Sequence, residues 1–232
     1  MGAALHHSHR KGAFSSAHAL LMLGLPGAGK GTQAHAVSKE FRIPEISTGS
    51  MLRDAVNHRT ALGLTAQPIM ESGGMVPDSL VCGLVEERIN RADCERGFIL
   101  DGFPRNLDQA VFLERLLQAK GCGRALALYI RVDPAMLFKR LAGRQVCAVC
   151  GSSYNVYFNP PLKAGRCDRD GSRLTHRPDD NEEAVAKRLK EFEAQTQPLI
   201  GHYRDAGVLR EVDGSAGAAD VTQEIFRVLR EP

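Results

Sequence analysis

A glycine-rich stretch with a single lysine, near the start of the chain, is the strongest chemical signal in the sequence. Residues 24–32, Gly-Leu-Pro-Gly-Ala-Gly-Lys-Gly-Thr, have GxxxxGK spacing, and a hydroxyl follows one place later than usual, at Thr32. Glycines allow successive backbone N–H groups to turn toward phosphate oxygens, and the ammonium of Lys30 adds positive charge. The motif predicts a site for the phosphates of a nucleotide, formed by Gly27, Ala28, Gly29, Lys30, Gly31 and Thr32.

A second chemical signal is Asp101, which ends the apolar run Phe98-Ile99-Leu100. A carboxylate at the carboxyl end of a buried parallel strand lies in the crevice where such sheets bind ligands, and it suits Mg²⁺ and its waters. Taken alone, Asp101 could equally cap a turn. The Gly-Phe-Pro-Arg sequence that follows it favours the functional interpretation.

The third signal is a set of cysteines with the spacing of metal ligands, Cys147-x₂-Cys150-x₁₆-Cys167-x₂-Asp170. Three thiolates and one carboxylate can complete the tetrahedral coordination of a structural Zn²⁺. Asp168 or His176 could replace Asp170 as the fourth ligand, and three free or redox-active cysteines are the alternative.

Alternating strands and helices are predicted to position these groups. The apolar run 19–23 precedes the glycines and a helical pattern follows them, which is typical of a parallel strand buried on both faces. Further apolar runs and helical patterns alternate along the chain, so we expect a parallel sheet with helices on both faces. The runs are 97–101, 125–130 and 208–212, and the helical patterns are 79–91, 107–120, 134–141, 181–206 and 219–229. Residues 47–76 and 144–180 interrupt this alternation and are expected to form small subdomains.

Five motifs in this order resemble the adenylate kinase family, from residue 17 to the end of the chain. They are residues 24–32, Ser47-Thr48-Gly49, Asp101-Gly102-Phe103-Pro104-Arg105, Phe158-Asn159-Pro160-Pro161 and Asp179-Asp180-Asn181-Glu182. The resemblance implies an α/β fold of the phosphate-loop type, with a five-stranded parallel sheet and helices on both faces. The core would comprise 17–46, 77–142 and 181–232, with a nucleoside-monophosphate-binding insertion at 47–76, a zinc-ribbon-like lid at 143–180 and an extension at 1–16.

The resemblance also implies a reaction, the reversible transfer of a phosphoryl group from MgATP to AMP to give two ADP, and a role for each matching residue. Catalysis would involve Lys30, Asp101, Arg105, Arg140, Arg144, Arg177 and Arg188. ATP would contact the phosphate loop together with Arg140, Arg144, Ser153, Tyr154 and Ala216. AMP would contact Thr48, Arg53, Gly74, Met75, Val76, Gly102, Phe103, Pro104, Arg105, Gln109, Arg177 and Arg188. Zinc lids of some members match Cys147, Cys150, Cys167 and Asp170.

The expected chemistry agrees with these residue types. The phosphate of AMP has a second pKa of about 6, so the attacking oxygen is already ionised near neutral pH and no general base is needed. Positioning and positive charge are required instead, and the planar fork of arginine binds two phosphate oxygens at once. Two positions depart from the family pattern: Ser50 stands where Asp is usual, and Gly74 stands where lysine is common.

Composition excludes several other classes of protein. The chain has 232 residues with a net charge of +3, and 43% hydrophobic and 25% charged residues exclude a disordered, collagen-like or coiled-coil protein. Lys30, Lys39 and two basic residues of the extension carry all the charge of residues 1–39, so the remainder has a charge of −1 and no basic stripe. We therefore expect nucleotides as partners and neither nucleic acid nor membrane.

Several alternatives remain open at this stage. A GTP:AMP phosphotransferase or another nucleoside-monophosphate kinase fits the same motifs, and a zinc-ribbon nucleic-acid-binding module with an ATP-binding core belongs to another class. The basic extension is interpreted as disordered, with a targeting peptide as the alternative. A monomeric, cytoplasmic enzyme is expected.

Overall fold

A central parallel sheet with helices on both faces forms the body of the molecule, in a computed structural model that describes residues 18–231. Its five strands are β1 (Ala19–Leu23), β2 (Glu45–Ser47), β3 (Phe98–Asp101), β4 (Leu126–Arg131) and β8 (Leu209–Asp213). They lie in the order β2-β3-β1-β4-β8, and all neighbours are parallel. The predicted fold class is confirmed.

Strand β1 shows why the apolar runs form buried strands. Its five residues are at most 2% exposed, and alternate side chains enter different hydrophobic clusters. Ala19, Leu21 and Leu23 pack on one side of the sheet, whereas Leu20 and Met22 pack on the other. Because side chains alternate across a strand, only a continuously apolar run can serve both clusters.

The helices of the core connect these strands, and several begin at a side chain that caps the first turn. They are α1 (Lys30–Phe41), α4 (Asp78–Ile89), α5 (Leu107–Ala119), α6 (Pro134–Ala142), α7 (Glu182–Glu191), α8 (Gln197–Asp205) and α9 (Ala218–Arg230). Asn106, Asp133 and Asn181 accept backbone N–H groups at the starts of α5, α6 and α7. Such caps typically contribute about 1 kcal/mol each. Short 3₁₀ turns lie at Ala92–Cys94 and Pro178–Asp180.

The helical pattern over 181–206 does not form one uniform helix. A π-helical segment, Phe192–Thr196, separates α7 from α8. Apolar periodicity cannot reveal this break, because the polar and apolar residues on both sides still follow helical spacing. Single wide turns of this kind are frequent at functional sites.

The two interruptions form the expected small units. Residues after β2 form a helical hairpin, α2 (Thr48–Asn57) and α3 (Ala61–Glu71). The cysteine-containing stretch forms a three-stranded antiparallel sheet in the order β6-β5-β7, from β5 (Arg144–Cys147), β6 (Ser153–Asn155) and β7 (Leu174–Thr175). The domain bounds at 47–76 and 143–180 remain predictions, and the extension at 1–16 lies outside the described residues.

Candidate functional site

The glycine-rich loop lies between β1 and α1, with left-handed backbone that glycine adopts readily. Gly27 has φ of +85° and Gly29 has φ of +96°, and Gly29 is the N-cap of α1. In this conformation a Cβ atom would be strained, whereas glycine is tolerated. The loop therefore brings backbone N–H groups and the positive end of a helix to one point, as predicted for a phosphate site.

Lys30 is the first residue of α1, and its ammonium turns back into the loop. Nζ donates to the carbonyl oxygens of Gly24 at 2.7 Å and Leu25 at 3.0 Å. Burial lowers the pKa of Lys30 to about 8; Asp101 opposes this shift, and nearby arginines add to it. A bound polyphosphate would supply the negative charge that favours the protonated ammonium.

A cavity lies between the helical hairpin and the sheet. Nine of the twelve AMP-site residues predicted from the sequence meet in its wall: Thr48, Arg53, Gly74, Met75, Val76, Gly102, Arg105, Gln109 and Arg188. The other three, Phe103, Pro104 and Arg177, do not line it. The wall also contains six residues that were not among the predicted site residues: Gly49, Leu52, Met70, Gly73, Val81 and Asp179.

A second cavity adjoins the first at the glycine-rich loop. Lys30 and Pro104 line it, whereas Phe103 is fully buried behind the site against Phe112. The two cavities share five wall residues, Gly73, Met75, Gly102, Arg105 and Arg188. Two guanidinium groups thus stand where a ligand of the first cavity would meet a phosphate held at the loop.

The π-helical segment contributes to this second cavity, which the sequence analysis did not anticipate. Phe192 and Thr196 line it, together with Glu191. The Thr196 hydroxyl also donates to the carbonyl oxygen of Arg105 at 2.8 Å. This bond fixes the backbone of the arginine between the two cavities.

Arg105 is held at both its backbone and its side chain. Its Nε donates to the carbonyl oxygen of Gly102 at 3.0 Å, and its N–H donates to Gln109 Oε1 at 2.8 Å. Burial lowers the pKa of Arg105, and repulsion from Arg188 adds to this shift. The crowding of cations here is favourable only when an anion lies among them.

Two aspartates pair with one arginine at the start of the lid and one arginine after its end. Asp180, whose side chain is 3% exposed, receives a bidentate interaction from Arg144, with Nε to Oδ2 at 2.7 Å. Arg188 pairs with Asp179 at 3.1 Å and reaches Asp180 at 3.5 Å. Arg177 begins the 3₁₀ turn that carries both acids, and burial lowers its pKa. These acids occupied one sequence motif, but their role as partners of the arginines was not predicted.

Asp101 lies at the carboxyl end of β3, as predicted, beside the start of α2. Its Oδ2 atom is 3.5 Å from the Ser47 hydroxyl, which can donate to it. Magnesium commonly binds one or two carboxylates, substrate phosphates and water, so a carboxylate beside the phosphate loop fits that ion. Glu45 lies at the start of the adjacent strand; burial, together with repulsion from Asp101, raises its pKa to about 7.

Gln109 has a fixed amide in the wall of the first cavity and is 1% exposed. Its Nε2 donates to Asp78 Oδ1 at 2.6 Å, and its Oε1 accepts from the N–H of Arg105. Asp78 was not predicted from the sequence.

The two departures from the family pattern are also visible: Ser50 donates its N–H to Ser47 Oγ at 3.4 Å, and the Lys187 ammonium lies 3.2 Å from the position that a Cβ atom on Gly74 would occupy.

The residues predicted to contact ATP beyond its phosphates lie near the lid and the loop after β8. Arg140 donates to the carbonyl oxygen of Gly214 at 2.8 Å, close in sequence to Ala216, and stacks 5.6 Å from the Phe158 ring. Ser153 and Tyr154 lie in β6 of the lid. The Tyr154 hydroxyl is near the cysteines, 3.5 Å from Cys167 Sγ, so its contact with ATP stays a prediction.

The predicted metal ligands converge in the lid. The ligand atoms of Cys147, Cys150, Cys167 and Asp170 all lie within 4.8 Å of one another. The Cys150 and Cys167 sulfurs are 3.5 Å apart, and Cys147 Sγ is 3.2 Å from Asp170 Oδ2. Sulfurs about 2.3 Å from a tetrahedral zinc would be about 3.8 Å apart, so the cluster fits this ion.

The surroundings of the cluster support a metal site and decide between the alternative ligands. Backbone N–H groups of Val149 and Cys150 donate to Cys147 Sγ, both at 3.3 Å, which stabilises a thiolate. Asp168 is directed elsewhere, because its Oδ1 accepts the N–H of Leu162 at 2.9 Å. Within residues 18–231, the cluster that could hold a metal contains Asp170 and neither Asp168 nor His176.

The parallel sheet, the glycine-rich loop and the two adjoining cavities are together typical of a nucleotide-binding kinase of the phosphate-loop class. The profile of the adenylate kinase family matches residues 22–208. Adenylate kinase from Bacillus subtilis (strain 168) is 47% identical over 210 residues, covering 90% of this chain and 97% of that protein. Adenylate kinase from Brevibacillus brevis is 48% identical over 211 residues, covering 91% and 99%, respectively.

A third relative, adenylate kinase from Thermodesulfovibrio yellowstonii, is 45% identical over 212 residues, covering 91% of this chain and 99% of that protein. The chain belongs to the adenylate kinase family. The resemblance drawn from five motifs is confirmed, and with it the prediction of an adenylate kinase.

Proposed function

We propose that this chain catalyses the reversible transfer of the terminal phosphoryl group of MgATP to AMP, producing two ADP and balancing the adenine nucleotides. The observation that carries the proposal is the wall shared by the two cavities. Arg105 and Arg188 line both, and Lys30 lines the cavity at the glycine-rich loop. A donor phosphate and an acceptor phosphate would therefore meet among the same cations.

Phosphoryl transfer needs in-line positioning and positive charge on the transferred group. Lys30 would hold the transferred phosphoryl group, while Arg105 and Arg188 would orient the acceptor phosphate against it. Asp101 would hold the Mg²⁺ of the MgATP substrate, which would supply positive charge against the phosphates. Because the attacking oxygen of AMP is already ionised, the residues named here bind and orient rather than remove a proton.

The remaining cations have supporting roles in this proposal. Arg53 would bind the AMP phosphate, and Arg144 and Arg177 would reach the phosphates from the lid. Arg144 and Arg188 pair with Asp179 and Asp180. Exchange of carboxylate partners for phosphate would therefore accompany nucleotide binding, and closure of the lid would exclude water from the transfer.

For the lid we propose a structural zinc ion held by Cys147, Cys150, Cys167 and Asp170. The lid cluster of buried residues is small, comprising Cys147, Tyr154, Cys167 and Leu174. A metal can supply folding free energy that so few apolar residues cannot.

We further propose a monomeric enzyme that acts in the cytoplasm on ATP, AMP and ADP. No helix among residues 18–231 is long and apolar enough to cross a bilayer.

A phosphoryl-transfer assay tests the reaction, with ATP or GTP as donor and AMP, GMP, CMP or UMP as acceptor. We expect ATP with AMP to react fastest; preference for GTP would assign the chain to the GTP:AMP enzymes. Lys30→Met should lower kcat by at least about 100-fold, the usual loss for one charge-stabilising group. Lys120→Met is the matched control, because the Lys120 ammonium contacts Asn90, outside both cavities. Transfer that persists undiminished in Lys30→Met would overturn the proposed mechanism.

A further inference from the structure

The amide of Gln109 is held in one of its two possible orientations by a partner at each end. Asp78, at the first position of α4, accepts from Nε2 at 2.6 Å. The backbone N–H of Arg105 donates to Oε1 at 2.8 Å. A carboxylate accepts hydrogen bonds and a backbone N–H donates them, so both partners favour the same orientation.

Asp78 is itself fixed in place. Its second oxygen, Oδ2, accepts from Asn106 Nδ2 at 2.9 Å, and Asn106 Oδ1 in turn accepts the backbone N–H of Gln109 at 2.9 Å. Asp78, Asn106 and Gln109 therefore form a closed ring of hydrogen bonds that joins the starts of α4 and α5. Rotation of the Gln109 amide would place an oxygen against the Asp78 carboxylate and N–H groups against the Arg105 N–H.

After these bonds, each end of the amide keeps one unused function. Oε1 has a second lone pair, and Nε2 has a second N–H. An acceptor beside a donor complements a base edge with a donor beside an acceptor, which is the pattern of N6 and N1 of adenine. Hypoxanthine and guanine carry the reverse pattern, an acceptor O6 beside a donor N1–H, and would require the rotated amide.

We propose that Asp78 is a specificity-determining positioning residue, which fixes the Gln109 amide so that the first cavity accepts 6-aminopurine monophosphates and rejects 6-oxopurine monophosphates. This inference rests on the proposed function, because it assigns the base of the acceptor to the first cavity. Asp78 acts through Gln109 and has no contact with the reacting phosphates in this role.

Asp78→Asn tests the inference with little change of shape. An asparagine can turn either its oxygen or its NH₂ group toward Gln109, so one of the two constraints on the amide is lost while the Arg105 N–H remains. We measure kcat/KM for AMP and for IMP, with ATP as the donor. The base of IMP, hypoxanthine, has the donor and the acceptor of this edge in the reverse order. The ratio of AMP to IMP should fall by at least about tenfold, because polar mismatches in a site that reads hydrogen bonds are strongly rejected.

Asp133→Asn is the matched control, since Asp133 also stands at the start of a helix and accepts the N–H of Ala135 at 2.8 Å. It should leave the AMP-to-IMP ratio unchanged. Asp78→Glu, which keeps an acceptor-only group, should retain more of the preference for AMP than Asp78→Asn. Thermal melting of each variant identifies any that are unfolded, and equilibrium binding of AMP and IMP to the folded variants provides the same comparison without turnover.

An unchanged AMP-to-IMP ratio in folded Asp78→Asn would overturn this inference and leave the proposed function intact. If the unmodified protein fails to phosphorylate AMP at all, the proposed function fails first. If Asp133→Asn shifts the ratio as much as Asp78→Asn does, a general loss of stability explains the effect and the positioning role is refuted.

Discussion

Nucleotide binding should draw a proton from solution at alkaline pH, because Lys30 is only partly protonated in the free protein. Burial and the neighbouring arginines lower its pKa to about 8, and its Nζ is bonded to two loop carbonyls. Phosphates at the loop would raise this pKa toward its ordinary value of about 10.4. Binding must then convert the neutral fraction of Lys30 into ammonium, which is a measurable proton uptake.

The size of the uptake follows from the two protonation curves. With a free pKa of about 8 and a bound pKa near 10.4, Lys30 should take up about 0.1 proton at pH 7, about 0.5 at pH 8 and close to 0.9 at pH 9. Above pH 8 the phosphates of the nucleotide are already ionised, so their own titration contributes little. The affinity for ATP should correspondingly weaken as pH rises from 8 to 10.

Isothermal titration calorimetry in buffers of different ionisation enthalpy measures the number of protons exchanged. Lys30→Arg is the matched control, because arginine keeps its charge throughout this range and the difference between the two proteins isolates Lys30. We expect the difference at pH 9 to approach one proton. A difference below about 0.2 proton at pH 9, with binding retained in both proteins, would refute the depressed pKa and the reasoning built on it.

Three further predictions concern the lid and the charges around the site. Purified, unchelated protein should contain about one zinc per chain by elemental analysis, and absence of the metal would contradict the site. A chelator should lower the melting temperature of the lid, while ATP still binds the glycine-rich loop. Glu45→Gln should stabilise the protein by up to about 3 kcal/mol at pH 8 and have no effect near pH 4, as measured by urea denaturation, with exposed Glu86→Gln as the control. The sign follows because the raised pKa of Glu45, about 7, makes its ionisation between about 4.5 and 7 disfavour the folded state. Asp180→Asn should destabilise the free protein by about 3 kcal/mol, because it leaves Arg144 without its buried partner. In a thermal melt, saturating ATP should recover part of that loss. Equal melting temperatures of the variant and the unmodified protein without nucleotide would contradict the pairing.

Much of the fold could be predicted because the apolar runs are continuous and the chemical motifs stand at their ends. Four strands were visible as runs at 19–23, 97–101, 125–130 and 208–212, and the structure places strands at each of them. The fifth, β2, has only three residues, and its sequence Glu-Ile-Ser shows no apolar run. Its presence was implied by the family resemblance and not by the residue pattern.

The cations of the site could be predicted, whereas most of their partners could not. Spacing along the chain marks Lys30 and the metal ligands, whereas the arginines were assigned through the family resemblance. Asp78 and Gln109 are 31 residues apart, and Thr196 and Arg105 are 91 residues apart. Only tertiary packing brings such pairs together, so no local pattern marks them.

The π-helical segment between α7 and α8 has a consequence for the lengths that this region of the chain can tolerate. An α-helix advances about 100° per residue, so one residue inserted or deleted there would rotate everything on one side of it relative to the other. Arg188 lies in α7, and the buried residues of α8, Leu199, Ile200 and Tyr203, anchor that helix to the core. The wide turn thus sets the rotation of Arg188, in the wall of both cavities, relative to a helix that is anchored in the core. A change of length by one residue here would turn Arg188 away from the wall that the two cavities share.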